Sequence, residues 1–190
     1  ALQQATSSAG EQYLVTEDQV RQFLTTQFGP EGWELALLLD NPGSPKQLCI
    51  VLRDREKLLD LMYLLRNDPQ WRFDQLIDLA GVDYLNYPDA QERFGVVYSL
   101  LSHESGQRLW IKMMFDEPDL RIPSVAEVWP AAGWMEREVY DLLGIVFEGH
   151  KDLRRIVCPE WFTAHPLRKD YPLRGMGERE SLPVVTREDA

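Results

Sequence analysis

Two periods of apolar spacing run along this chain, and the places where one gives way to the other define the elements it predicts. From Thr16 the spacing is helical. Val20, Phe23 and Leu24 share a side, Thr16 with Gln19 three positions on makes a capping box, and Gly29-Pro30 stops the segment. Residues 33–39 and 47–52 are apolar runs separated by Asp40-Asn41-Pro42-Gly43, the pattern of a β-hairpin. A second helix is expected from an Asp54 cap to about Arg66, with Leu58, Leu59, Met62 and Leu65 on one side. Residues 73–85 read as a strand or a bent pair of strands in which Gly81 permits a bulge. Residues 94–101 and 109–115 read as strands joined across His103-Glu104-Ser105-Gly106.

Pro118 and Pro123 mark an extended crossing, after which 124–129 and 131–143 are expected as helices, the second stopped at Gly144, with 145–147 a short apolar strand or plug. Runs of adjacent strands, rather than strict alternation with helices, predict an α+β fold: a largely antiparallel or mixed sheet with helices on one face. Residues 1–15 are small and polar and are expected to fray. Beyond Gly149 the periodicity is lost, apart from one helical turn at 159–162. The expected organisation is therefore a core domain over 1–149 and an extended, irregular C-terminal arm over 150–190.

A length of 190 residues suits one domain. No stretch approaches the roughly 20 apolar residues needed to span a bilayer, so membrane contact is expected only through a partner. The chain opens without a basic region followed by an apolar run, which favours the cytoplasm. A net charge of −11 argues against nucleic-acid binding. The distribution of charge adds more. Between His150 and Gly175 six cations (Lys151, Arg154, Arg155, Arg168, Lys169, Arg174) face three anions (Asp152, Glu160, Asp170), a basic arm on an acidic body.

Candidate chemistry is sparse. Cys49 and Cys158 lie far apart, and a thiolate-held iron–sulfur cluster needs about four Cys. His150 and His165 sit in irregular chain without the i, i+4 spacing of a helical metal pair, so hydrogen bonding within turns is the simpler expectation. Within the helix ending at Leu143, Glu138 and Asp141 share a face, and Arg137 can pair with Asp141 at i, i+4. That pairing would hold the acids ionised and unsuited to proton transfer, leaving a salt-bridged helix face or an interface. No G-x-S-x-G, Gly-rich phosphate loop or G-x-G-x-x-G occurs. Trp110 is expected in the core. Trp161-Phe162, two large apolar residues in a polar arm, need a surface to cover, either a partner or their own domain.

Three stretches are distinctive: residues 136–150, from Glu136-Arg137-Glu138-Val139-Tyr140-Asp141 to Gly149-His150; Asp152-Leu153-Arg154-Arg155-Ile156; and His165-Pro166-Leu167-Arg168-Lys169-Asp170-Tyr171-Pro172-Leu173. Together they resemble the signature of the thirty-kilodalton subunit of proton-pumping NADH:quinone oxidoreductase, respiratory complex I. Leu143 stands where Phe is usual, Lys151 where Pro is usual, and Ala164 where Gly is usual.

The resemblance implies an accessory core subunit of the peripheral arm that holds no cofactor, with FMN, iron–sulfur clusters, NADH and quinone handled by other subunits. The implied partners are the large quinone-site subunit and the subunit of the terminal iron–sulfur cluster, with the complex at the cytoplasmic face of the bacterial inner membrane. The implied partner interface comprises Glu136, Arg137, Glu138, Tyr140, Asp141, His150, Arg154, Arg155, Trp161, His165, Arg168, Lys169, Asp170 and Tyr171. Arg137 and Arg168 are expected to be its costliest truncations. Alternatives are the equivalent subunit of a ferredoxin- or F420-dependent complex or membrane-bound hydrogenase, or a free-standing assembly or scaffold protein.

Overall fold

The computed structural model describes residues 16–38, 47–88 and 90–178, and of Leu37 and Leu38 only the backbone. Residues 1–15 and the 39–46 connection fall outside them. Helix α1 (Glu17–Phe28) starts on both halves of the expected capping box: Thr16 Oγ1 accepts from Gln19 N–H, and Gln19 Oε1 accepts from Thr16 N–H. Gly29, at φ 79°, ends it. Strands β1 (Trp33–Leu38) and β2 (Gln47–Leu52) pair antiparallel. Helix α2 (Glu56–Asn67) begins where Asp54 Oδ1 accepts from Glu56 N–H, and it buries Leu58, Leu61, Met62 and Leu65. Leu61 thus takes the buried place expected of Leu59, which is only half-buried.

Strands β3 (Gln75–Asp83), β4 (Phe94–Leu101) and β5 (Arg108–Phe115) complete a five-stranded sheet in the order β1-β2-β5-β4-β3. Every pairing is antiparallel except β2 with β5, so the sheet is mixed. Register aligns Leu48, Ile50 and Leu52 with Leu109, Ile111 and Met113, and β4 continues the row with Phe94, Val96, Tyr98 and Leu100. These side chains form one cluster with the buried faces of α1, α2 and the last helix, α3 (Ala132–Leu143). The helices therefore lie on one face of an α+β sheet, as the strand runs predict. On the other face Val51, Val97, Trp110 and Lys112 stay half-buried. Trp110 is among them, rather than in the core, with its indole N–H donating to Gln47 Oε1.

The structure differs from expectation at two further places. Residues 124–129 form a turn instead of a helix, because Ser124 and Val125 are held by the Glu136 carboxylate and Val128 and Trp129 bond back to the Val125 carbonyl. The irregularity in β3 lies between Leu76 and Asp78, not at Gly81. At Gly81 a Cβ would stand 2.5 Å from Leu143 Cδ1 and 2.8 Å from Val139 Cγ1, so the absent side chain is what lets α3 seat on the sheet. Short strands β6 (Arg121–Pro123) and β7 (Val146–Glu148) pair in parallel and fix the chain on either side of α3.

Candidate partner interface

Helix α3 ends with four carbonyls that no further turn of helix can satisfy. Gly144, in the left-handed conformation at φ 80°, donates its N–H to Tyr140 O. The irregular chain satisfies the others. Asp141 O accepts from Arg155 Nη1 at 3.1 Å and from His165 Nδ1 at 3.0 Å, Leu142 O from Leu167 N–H at 3.0 Å, and Leu143 O from Arg168 Nε at 2.7 Å. Two guanidinium groups thus lie at the negative end of the helix dipole. Gly144 is where they close in, since a Cβ there would meet His165 and Arg168 within 2.8 Å. His165 donates through Nδ1 to a carbonyl, and burial, with Arg168 and Arg155 nearby, lowers its pKa and so favours the neutral ring.

Three buried carboxylates hold the backbone around this cap. Asp141 is fully buried. Its Oδ2 accepts from the N–H groups of Ile156, Val157 and Cys158 at 2.9, 2.7 and 2.8 Å, and its Oδ1 accepts from Arg155 at 2.6 Å. Burial alone would raise its pKa, but those amides and Arg155 outweigh burial and hold it at about 2. Asp83 accepts from Leu85 N–H, Lys169 N–H and the Arg93 guanidinium, whose pull together exceeds the cost of burial and lowers its pKa. Arg93 also reaches Asp170 at 2.9 Å and Glu117 at 3.3 Å. Glu136 is the opposite case. Burial raises its pKa despite bonds from Ser124 Oγ and Val125 N–H and the nearby His150.

These contacts correct the expected Arg137–Asp141 pair. Asp141 bonds Arg155, whereas Arg137 Nε donates to Arg154 O at 3.1 Å and its guanidinium stacks on Trp134. Irregular chain presents free amides to a carboxylate and free carbonyls to a guanidinium, so each group finds stronger company there than in the other. Glu138 is exposed while Asp141 is buried, so the two do not act together. His150 accepts at Nδ1 from Asp152 N–H and therefore donates from Nε2 to Gly133 O, the turn role expected of it. Tyr140 meets His165 edge to face, and Tyr171 donates its hydroxyl to Glu178. Lys169 is exposed, and Arg154 pairs with the neighbouring exposed Asp152. Sequence reasoning missed Asp83, Arg93 and Glu117 as members of the network. The available signal was an Asp at a strand position pointing toward the core, where β propensity disfavours it.

Among the side chains this network leaves exposed are several large apolar ones. Val157 is 60% exposed, Trp161 53%, Leu167 57%, Leu173 108% and Met176 70%. Phe162 stays half-buried between Trp161 and Tyr171. Among the described residues no three His, Cys, Asp or Glu side chains are placed to hold a metal ion, and no helix is long and apolar enough to cross a membrane. The Cys49 thiol is buried and pushed up to about 11 by that burial.

A backbone pinned from within and large apolar side chains left exposed make this region the candidate docking surface. Residues 51–177 match the family of the 30 Kd subunit of respiratory-chain NADH dehydrogenase. The chain belongs to that family. The corresponding NADH-quinone oxidoreductase subunit of Burkholderia multivorans is 49% identical over 145 residues, 74% of this chain and 72% of the relative. Its Rhodopseudomonas palustris counterpart is 48% identical over 125 residues, 66% of this chain but only 59% of that protein's length. A trypsin-resistant fragment of Nqo5 superposes with a TM-score of 0.57 at 37% identity, over 72% of this chain and 98% of the fragment. One component of the membrane-bound sulfane sulfur reductase, an archaeal respiratory membrane complex, has a TM-score of 0.60 over 83% of this chain and 85% of its own; at 23% identity it shares the fold alone. The family match takes in α3 and the network at its end.

Proposed function

We propose that the protein is the thirty-kilodalton-family subunit of an NADH:quinone oxidoreductase, a core component of the peripheral arm that binds no cofactor and has no turnover alone. The observation that carries this reading is the arm, whose backbone is fixed by Asp141, Asp83 and the α3 cap while Val157, Trp161, Leu167, Leu173 and Met176 face solvent. Pre-ordered chain loses little entropy on docking, so such a surface binds well for its area. Its partners are the large quinone-site subunit and the subunit of the terminal iron–sulfur cluster. The chain helps to hold these in register while electrons pass from NADH to quinone with coupled proton translocation. FMN, clusters, NADH and quinone reside on those and other subunits, and the protein lies peripherally at the cytoplasmic face of the inner membrane.

The experiment is a double variant, Val157→Ser with Trp161→Ser, introduced into the complex. Both side chains point outward, so the isolated variant is expected to melt with the parent chain, while blue-native gels of membranes lose the assembled complex and NADH:quinone activity falls with it. Full assembly and activity in the double variant overturn the reading.

A further inference from the structure

The border of α3 that faces β3 holds a second surface, which the arm reaches only through Leu167. Among the described residues, strand β3 ends the sheet and pairs with β4 alone. Tyr84 N–H donates to Arg93 O, so the hydrogen-bonded positions of this antiparallel ladder fall at 80, 82 and 84. The main-chain groups of Leu79, Gly81 and Asp83 consequently point away from β4. Leu79 N–H is taken by Asp78 Oδ1. The remaining edge opens into a groove of about 270 Å³ between β3 and α3, with Met135, Val139 and Leu142 on the helix side and Leu167 from the arm. Asp78 and Glu138 line it, both are exposed, and neither forms an ion pair among the described residues.

We propose that this groove receives an extended, basic segment of a neighbouring subunit, which adds to the free edge of β3 as a sixth strand. Three features select that occupant. An edge whose backbone groups are covered must be given hydrogen-bonding partners, and a strand supplies them in register. The apolar helix side accepts alternate side chains of such a strand. The two carboxylates call for Lys or Arg in the segment, fixing its register by charge. A second copy of this chain is the wrong partner, because its β3 edge carries two acids, Asp78 and Asp83, and no Lys or Arg to meet the carboxylates of the groove. Leu167 belongs both to the groove and to the exposed apolar set of the arm, so the added strand would continue the docking surface.

The inference rests on the subunit reading, and the test separates the two. Amide exchange, resolved to Gly81 by fragmentation, is compared between the isolated full chain and the purified complex, and a photo-crosslinking residue is placed at position 138 in the complex. Exchange at Gly81 is expected to slow at least about tenfold on assembly, with crosslinks to a basic extended segment of another subunit. Glu138→Lys, which leaves the fold intact, is expected to weaken retention of the chain about tenfold, the effect of reversing a charge at an interface. Unchanged exchange at Gly81, or crosslinks to lipid or to a second copy, overturns the added strand while leaving the subunit reading in place. A chain that enters no complex at all overturns both.

Discussion

Asp141 carries more of the arm's geometry than any other side chain, since one carboxylate receives three successive amides and a guanidinium. Removing one partner of a buried charge pair costs about 3–5 kcal/mol, because the other is left uncompensated. Asp141→Ala is therefore expected to destabilise the chain by about that much and to speed tryptic cleavage after Arg154 and Arg155, read by thermal melting and timed digestion. The pH dependence has a definite sign. A carboxyl held at about 2 in the folded chain, below its ordinary 3.8, contributes stability at neutral pH that is lost as pH falls from about 4 to 2. Glu136 runs the other way. Its raised pKa makes the folded chain lose stability as pH rises above the ordinary carboxylate value of 4.5. Glu136→Gln keeps an acceptor for Val125 N–H and is expected to melt within about 1 kcal/mol of the parent at pH 7, with a flatter profile of melting temperature against pH. Sequence spacing on α3 singled out Arg137 and Asp141 but not their partners, and it passed over Asp83, Arg93 and Glu117. Periodicity reports which side of α3 a residue occupies, whereas the amides that Asp141 binds lie 15 to 17 positions away in chain with no period.

Elements with a strong period were legible, and those positioned by a single buried contact were not. The capping box, the antiparallel pairing of β1 with β2 and of β4 with β5, and the end of α3 at Gly144 are all where local chemistry puts them. The turn at 124–129 escaped because the Ser124 hydroxyl and the Val125 amide are held by Glu136, 12 and 11 positions away. Gly81 was legible as special but not for the right reason, since a bulge and a close helix approach leave the same mark in a sequence. The approach makes a testable claim. Gly81→Ala puts a methyl where Leu143 and Val139 already sit, so α3 must lift or β3 must shift. Overpacking of this kind costs about 1–3 kcal/mol, and a lowered denaturation midpoint with an unchanged slope is the expected result. Leu143→Ala in the same chain should recover part of the loss, which a strand bulge at Gly81 would not allow.

At the scale of the whole molecule, the sequence suggests a body and a detachable arm, and the hydrogen bonds join them more closely than that. Residues 155–169 supply the cap of α3, the donors of Asp141 and one donor of Asp83, so the body's own polar groups are completed by the arm. Cutting the chain after Gly149 would consequently test two things at once. It would remove the outward apolar surface, and it would leave the last carbonyls of α3 and the inward Asp141 carboxylate to find water. Each unsatisfied group costs about 1–3 kcal/mol where water cannot reach it. The truncated chain is expected to lose at least about 2 kcal/mol, roughly 5 °C in melting temperature for a domain of this size, even with no partner present. Changes confined to outward side chains such as Val157, Trp161 and Leu173 should leave melting unmoved and act only when partners are supplied. If the truncated chain melted with the parent, the arm would be an appendage on a complete fold. If it melts lower, the surface that meets the partners is also the piece that finishes the fold, and an unfolded arm and an unassembled complex become the same defect.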